Sequence, residues 1–324
     1  MLVTPTAPAL VQMVVTRRCN LSCGYCNEYD DVSDPVDTER LKRQIDYVAA
    51  LGTLVLTFTG GEPLLHPELD QLVAYAVDKG MVVTTISNAY PITRKWIERL
   101  NAARLSFLQI SIDNLEPNDV SQKSLSKIGK KLELLKEHAR FGVNVNAVLG
   151  SSPSSATRTL VDEVERLGFY MTVGLMHGPD GQLDAGLLGD ELAVLYREMR
   201  ARSKKTIFHR AGEGWEDVMI AGGEAPFKCR AGSRYLYVDE HGKVSYCSQR
   251  RGEPGVSLFD YDRAAMREAF DAKKGCEDKC TIACVRRASA FDGYRAQDGE
   301  IAAVTTASDA ASGLGADKRL PIIS

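Results

Sequence analysis

Six short runs of β-branched and aliphatic residues recur along the chain, at Leu10 to Thr16, Thr53 to Thr59, Met81 to Ser87, Leu105 to Ile112, Val143 to Leu149 and Tyr170 to Met176. Each predicts a strand. Between them the apolar positions take helical spacing. Leu41, Ile45, Val48 and Ala49 fall at i, i+4, i+7 and i+8, and Leu69, Leu72, Val73 and Ala76 at i, i+3, i+4 and i+7 behind Pro67, which suits a helix start. Strands alternating with one-striped helices predict an α/β protein with a parallel sheet. The strand runs are nearly continuously apolar, so cover on both faces is expected. A twisted open sheet or a partial (β/α) barrel satisfies this pattern.

The rhythm changes after about residue 185, with a helix predicted over Glu191 to Arg202, then a Gly-rich stretch. A hairpin follows, Arg234 to Asp239 and Lys243 to Tyr246, turning at Glu240 to Gly242. The pattern divides the chain into a core over 8–185, a connecting helical segment over 186–228 and a small Cys-rich module over 229–296. From Gln297 to residue 324, Ala, Ser, Asp and Gly without periodicity predict disorder.

Charge narrows the function classes. Forty Lys and Arg against forty-three Asp and Glu leave −3 over 324 residues, so no global field draws the chain to nucleic acid or an anionic membrane. No run approaches the roughly 20 apolar residues of a membrane span, so no stable membrane insertion is expected. No Lys or Arg precedes Arg17, and Pro5 and Pro8 interrupt the start, which is unlike a secretory signal. The chain starts almost at the first strand, so no peptide-recognition domain is expected in front of it. The eight cysteines stand in short-spaced groups, Cys19, Cys23 and Cys26, then Cys229 and Cys247, then Cys276, Cys280 and Cys284. In a long chain without an export signal that grouping favours metal binding over disulfides, and a cytoplasmic, reducing compartment.

The run Cys19-Asn20-Leu21-Ser22-Cys23-Gly24-Tyr25-Cys26 lies just past the first predicted strand, where loops of parallel α/β folds carry chemistry. A structural zinc site wants a fourth ligand, and Asp30 and Asp31 are poor substitutes for Cys or His. Three cysteines leave one metal position open, which suits an iron-sulfur cluster with an exogenous ligand. A zinc knuckle completed by a distant residue is the alternative. The CxxxCxxC spacing, with an aromatic before the last Cys, resembles the radical S-adenosylmethionine (AdoMet) enzymes. Thr59-Gly60-Gly61-Glu62-Pro63, after the second strand, resembles the GGEP motif of the same family.

The resemblance implies that Cys19, Cys23 and Cys26 hold a 4Fe-4S cluster whose fourth iron is chelated by AdoMet. Reductive cleavage then yields a 5′-deoxyadenosyl radical that takes a hydrogen atom from the substrate, the cofactor carrying the chemistry and the protein positioning it. It implies further that the backbone of Gly60 and Gly61 and the Glu62 carboxylate receive the ammonium of AdoMet. Ser87 and Asn88 end the third strand and Ser111 and Asp113 the fourth, resembling the polar positions that meet the ribose and carboxylate. Alone, each reads as a cap or an Asx turn. Asn144 and Asn146 share one strand face and are candidates for adenine or substrate, although Leu149-Gly150-Ser151-Ser152 replaces the family's glycine-rich pattern there.

Cys229 is followed by twelve residues, Gly242, four residues and Cys247, and then by Cys276, Cys280 and Cys284 at intervals of four. This resembles the auxiliary-cluster extension of the family, the SPASM or shorter twitch domain. Five cysteines suffice for one fully ligated 4Fe-4S cluster, so the twitch form fits better. If helical, the last three share one helix face. A four-Cys zinc site is the alternative. A fifth thiol is left over, either an inert buried Cys or a hydrogen-atom donor. The histidines, at 66, 138, 177, 209 and 241, make no metal-spaced pair. His177 reads as a turn residue, with a place at the barrel mouth as the alternative. Tyr235, Tyr237 and Tyr246 read as packing, and Arg200 to Lys205 and Arg286-Arg287 as solvated helix faces.

The resemblance covers about residues 10 to 285 and implies a partial (β/α)6 TIM-like barrel with a small C-terminal auxiliary-cluster module. The function expected is an oxidoreductase-like radical AdoMet enzyme acting on a small molecule or lipid precursor, with peptide modification as the alternative. An electron donor such as flavodoxin or ferredoxin is implied, and no catalytic side chain is assigned. A glycyl-radical activase is disfavoured, because in that group the extra cysteines follow the first cluster closely. A zinc or iron-sulfur binding protein without AdoMet leaves the GGEP turn without a purpose.

Overall fold

The computed structural model describes residues 7–178, 181–183, 190–202, 215–225, 227–290 and 292. The tail expected to be disordered from Gln297, together with His209 and Ser203 to Lys205, lies outside the described residues. Strands β1 (Leu10–Thr16), β2 (Val55–Gly60), β3 (Val82–Ser87), β4 (Phe107–Ser111), β5 (Gly142–Leu149) and β6 (Tyr170–Leu175) fall within two residues of the six expected runs. They alternate with helices α1 (Thr38–Ala50), α2 (Leu69–Asp78), α3 (Arg94–Ala102), α4 (Leu125–His138) and α5 (Ser154–Arg166). All neighbours among β1 to β6 pair in parallel.

Local chemistry starts the helices. Asp37 accepts from the Arg40 N–H at 2.8 Å ahead of α1, and Thr93 from the Trp96 N–H at 3.2 Å ahead of α3. Such a cap is worth about 1 kcal/mol. Their apolar stripes then cover one face of the sheet. Val11, Met13, Val15, Leu56, Phe58, Val83, Leu108, Ile110 and Val145 are fully buried against Leu41, Ile45, Leu72, Ile97, Ile128 and Leu160. Each such side chain contributes about 2 kcal/mol.

The other face departs from expectation. The strands are not apolar on both sides: Gln12, Thr57, Thr84, Gln109, Ser111, Asn144 and Asn146 alternate with the core residues. Thr57 and Thr84 share a hydrogen bond of 2.7 Å across β2 and β3. This polar inner face is the lumen of the partial barrel, and its strand ends carry the site.

Beyond residue 186 come α6 (Asp190–Arg202) and α7 (Trp215–Ile220). The hairpin follows as β7 (Tyr235–Val238) and β8 (Lys243–Ser245), with Asp239 accepting from the His241 and Lys243 N–H groups in its turn. It extends the barrel sheet: β7 pairs in parallel with β1, giving the order β6-β5-β4-β3-β2-β1-β7-β8-β9. Strand β9 (Pro254–Ser257) was not expected; helices α8 (Arg263–Asp271) and α9 (Ala283–Ala290) complete the described elements.

Two expectations about this region are corrected. Cys276, Cys280 and Cys284 do not share a helix face, because Cys276 and Cys280 flank a 3-10 turn over Glu277–Lys279 and only Cys284 lies in α9. Arg286 is not solvated: it is 4% exposed and paired with Glu216, while Arg200 pairs with Asp217. Among the described residues, no helix is long and apolar enough to cross a membrane.

Candidate active site

The first cysteine loop leaves β1 and returns to it. Cys19 N donates to Asp30 O at 2.9 Å and Asp30 N to Arg17 O at 2.8 Å, closing the loop at its base. Backbone N–H groups reach every sulfur: Leu21 to Cys19 at 3.4 Å, Gln122 to Cys23 at 3.3 Å and Glu28 to Cys26 at 3.5 Å. Burial nevertheless pushes the Cys19 thiol up to about 11 and raises that of Cys26, against the pull of those N–H groups and of Lys123. A buried thiolate trio needs a cationic group to balance it, as metal coordination supplies.

The three cysteines line one cavity together with Thr59, Gly60, Gly61, Ser87, Asn88 and Ser111. Eight of the residues singled out in the sequence thus meet at the ends of four strands. Glu62 and Asp113 stand behind that wall. Glu62 is fully buried; its Oε1 accepts from Leu64 N at 3.0 Å and Ser87 Oγ at 2.8 Å, and its Oε2 from Asn88 N at 2.7 Å. Asn88 carries the connection onward, donating to Asn20 Oδ1 at 2.9 Å and to Cys19 Sγ at 3.6 Å. Asp113 accepts from Tyr25 OH at 2.8 Å, Ser121 Oγ at 2.7 Å and Val148 N at 2.9 Å.

The paired glycines have a steric reason within the chain itself. A Cβ on Gly60, whose φ is +126°, would lie 2.1 Å from Thr16 O, and one on Gly61 would lie 2.2 Å from Arg17 O. What approaches so closely is the chain itself: Gly61 N and Glu62 N donate to Thr16 O and Arg18 O, each at 2.9 Å. The glycines therefore dock the GGEP turn onto the base of the cysteine loop.

Lys123 escaped the sequence reading. It sits in the polar run Ser121-Gln122-Lys123-Ser124, which carries no motif. It lines the cavity, and its ammonium donates to Tyr25 OH at 2.8 Å. Burial opposes the charge, but Tyr25 and Asp113 outweigh it and hold the group protonated. Tyr25 thus links a cation on the cavity wall to a buried carboxylate. Asn27, Glu28, His177 and Gln249 also line the cavity, and Asn27 Nδ2 donates to Gln249 Oε1 at 3.0 Å. His177 takes its alternative place at the mouth. Asn144 and Asn146 are tied instead to Thr172, at 3.0 and 2.9 Å.

Four of the five C-terminal thiols gather over the inner face of β1 and β7. Cys229, Cys247 and Cys280 are buried with Val14, Tyr235, Tyr237, Ile282 and Val285, and Cys284 packs against them. Burial pushes Cys229 up to about 11 and Cys247 up to about 12. Tyr235 and Tyr237 do pack here, and their hydroxyls also donate, to Gln12 Oε1 at 2.6 Å and to Glu28. All eight cysteines are free thiols. Among the described residues, no three His, Cys, Asp or Glu side chains close on a point as a single ion requires. Thiol-only donor sets of this kind fit an iron-sulfur group spread over several sulfurs.

Glu62 gives a test of this geometry without any cofactor. Burial raises its carboxyl to about 7 from 4.5, despite the N–H groups of Asn88 and Leu64 and the Ser87 hydroxyl. The folded chain therefore holds an extra proton between these values, and its stability falls as pH rises through that window, by about 3 kcal/mol at most. In Glu62→Gln the decline in melting temperature from pH 4.5 to 7 shrinks. Glu28, raised by burial in the same direction, keeps some of it. An undiminished slope in thermal melts of the apo protein would show that Glu62 is not the group responsible.

The fold and the cavity together define a class of protein. The model of the Radical SAM superfamily matches residues 13–151, the stretch from β1 to just past β5 that holds both motif loops. Residues 13–151 form a radical SAM domain, and the chain is a radical SAM enzyme. An AdoMet-dependent heme synthase of Methanosarcina barkeri is 27% identical over 285 residues, 76% of this chain and 78% of that protein. A PqqA peptide cyclase of Granulibacter bethesdensis is 25% identical over 321 residues, 87% of this chain and 81% of that protein. Streptococcus suis SuiB shares the fold, with a TM-score of 0.61 at 15% identity over 84% of this chain and 67% of that one.

Proposed function

We propose that the chain cleaves AdoMet reductively in the cavity of Cys19, Cys23 and Cys26 and directs the resulting radical to a substrate held between the barrel lumen and the C-terminal module. The observation that carries this reading is the convergence of three thiols, the GGEP turn and Lys123 on one cavity. When bound, the cluster and AdoMet supply one-electron chemistry and hydrogen-atom abstraction. The chain's own groups do the rest. The three sulfurs hold iron, the glycine turn fixes the cavity floor, Glu62 fixes Ser87 and Asn88 in the wall, and Ser111 offers a hydroxyl at the end of β4. Residues 8–185 form the core in this reading and residues 229–296 carry one auxiliary 4Fe-4S cluster, joined by 186–228. A flavodoxin- or ferredoxin-type reductase supplies the electron.

Lys123 is proposed to receive the carboxylate of AdoMet from its place on the cavity wall beside Tyr25. A buried charge-assisted hydrogen bond of this kind contributes about 1.5–3 kcal/mol. Lys123→Met is expected to weaken binding of AdoMet or its thioether product by about tenfold or more, measured by anaerobic calorimetry. Lys123→Arg retains the charge and recovers part of the loss. Equal affinity in all three proteins removes Lys123 from the site.

The substrate proposed is a small molecule or lipid precursor, a reading supported by the match to a heme synthase along three quarters of the chain. Peptide modification is the second reading, favoured by the comparable match to a PqqA peptide cyclase. The reconstituted enzyme is incubated with AdoMet, reductant and either a porphyrin precursor or a candidate peptide encoded nearby, and 5′-deoxyadenosine is quantified. Stimulation above the substrate-free rate by the porphyrin alone favours the first class and by the peptide alone the second. No 5′-deoxyadenosine under any reducing condition overturns the proposal.

A further inference from the structure

Resting on the reading that the C-terminal cysteines hold an auxiliary cluster, we propose that Cys229, Cys247, Cys280 and Cys284 are its four ligands and that Cys276 stays outside it as a free thiol. Five thiols compete for the four irons of one cubane, each of which takes one. Membership of the apolar cluster distinguishes them, although Cys276 lies within electrostatic reach of Cys229. Cys229, Cys247 and Cys280 are 4%, 7% and 6% exposed within one apolar cluster, and Cys284 packs against that cluster. Cys276 does not belong to it; it is half-buried, and its thiol faces the Arg250 guanidinium. The Arg250 side chain is itself held in place, donating to Lys274 O at 3.2 Å and to Glu253 at 3.0 Å.

The backbone accounts for the separation. Cys276 opens a 3-10 turn and Cys280 closes it. At about three residues per turn, positions four apart point roughly 120° away from each other. Cys280 is then strapped to the loop after β6, bridged to Gln182, while Leu183 N donates to Lys279 O at 2.8 Å. Cys284, in the first turn of α9, lies beside Tyr235, whose hydroxyl donates to Gln12 of β1 at 2.6 Å. Cys280 and Cys284 thus pack in the same apolar cluster over β1 and β7 as Cys229 and Cys247.

The assignment has a functional consequence. With four thiolates supplied by the chain, no iron of the auxiliary cluster is left open to substrate. Substrate recognition then falls to the cavity wall, to Asn27, Glu28, His177 and Gln249, and the auxiliary cluster acts by passing electrons or by holding the module together.

The test uses the full-length chain carrying Cys19→Ala, Cys23→Ala and Cys26→Ala, reconstituted anaerobically with iron and sulfide so that only the C-terminal site loads. About four irons per chain are expected. They are retained when Cys276→Ser is added and lost when Cys280→Ser is added. A second measurement needs no variant: iodoacetamide applied to the native, loaded wild-type protein marks Cys276 alone, as mapped by mass spectrometry. Iron loss in Cys276→Ser equal to that in Cys280→Ser, or label on any of the other four C-terminal cysteines, overturns the assignment. A triple variant that takes up no iron overturns instead the auxiliary-cluster reading on which it rests.

Discussion

Alanine at Cys19, Cys23 and Cys26 together is expected to abolish 5′-deoxyadenosine formation and to halve the iron of the reconstituted protein, from about eight to about four per chain. The two losses have one cause. These thiols line a single cavity with Gly60 and Gly61 of the GGEP turn, and receive backbone N–H groups at 3.3–3.5 Å that suit a thiolate acceptor. Cys229, Cys247, Cys280 and Cys284 are rooted over β1 and β7 in their own apolar cluster, so the iron proposed there is expected to survive. The measurement is an anaerobic iron assay paired with chromatographic detection of 5′-deoxyadenosine. Full iron content in the triple variant, or undiminished product, would place the chemistry elsewhere.

The second large effect involves no reactive group. Gly61→Ala is expected to destabilise the chain by about 3 kcal/mol or more through overpacking alone, and Gly60→Ala by about 3–5 kcal/mol, because its φ of +126° adds backbone strain. The added methyl meets carbonyl oxygens at 2.2 and 2.1 Å that belong to the backbone of the β1 end and cannot rotate away. Relief requires parting the GGEP turn from the base of the cysteine loop, so AdoMet binding is lost along with stability. Gly80→Ala is the control: its φ is +85°, but a Cβ there meets nothing within 4 Å. Only the cost of a left-handed alanine, about 1 kcal/mol, is expected. Thermal melts of the three apo proteins separate the cases, and a Gly61→Ala melt as mild as that of Gly80→Ala would mean the two loops are free to separate.

Much of the fold was legible because the barrel strands announce themselves locally. The run at Leu10 to Thr16 needs no partner to be recognised, and neither do the stripes on α1 and α2. The polar lumen was legible in principle, since Gln109 and Ser111 alternate with Leu108 and Ile110, but the abundance of Val, Ile and Leu masked the alternation. Strand β9 was hidden by its composition, Pro254-Gly255-Val256-Ser257, which a sheet tolerates at its edge. The pairing of β7 with β1 joins residues more than 220 positions apart, and nothing local encodes it.

In the site the same division holds. Cys19, Cys23, Cys26, Gly60 and Gly61 are motif residues with fixed spacing, so they could be found from sequence. Lys123 could not, because the fold brings Tyr25 to it from the cysteine loop, 98 positions away, with Asp113 of its own loop behind that hydroxyl. The ladder Glu62–Asn88–Cys19 is equally nonlocal.

The place of β1 in the sheet bears on how the protein survives air. With β2 on one side and β7 on the other, it is an interior strand of nine, and Val11, Met13, Val14 and Val15 are wholly buried. Segments with two hydrogen-bonded neighbours and no exposed apolar surface open last, often only with the whole molecule, and their amides exchange slowest. The cysteine loop is thus moored to the slowest-breathing part of the chain. Local fraying, which elsewhere would admit dioxygen and water to sulfur and iron, is confined to the mouth of the cavity, so oxidative damage at the centre is governed by access through that mouth rather than by unfolding beneath it.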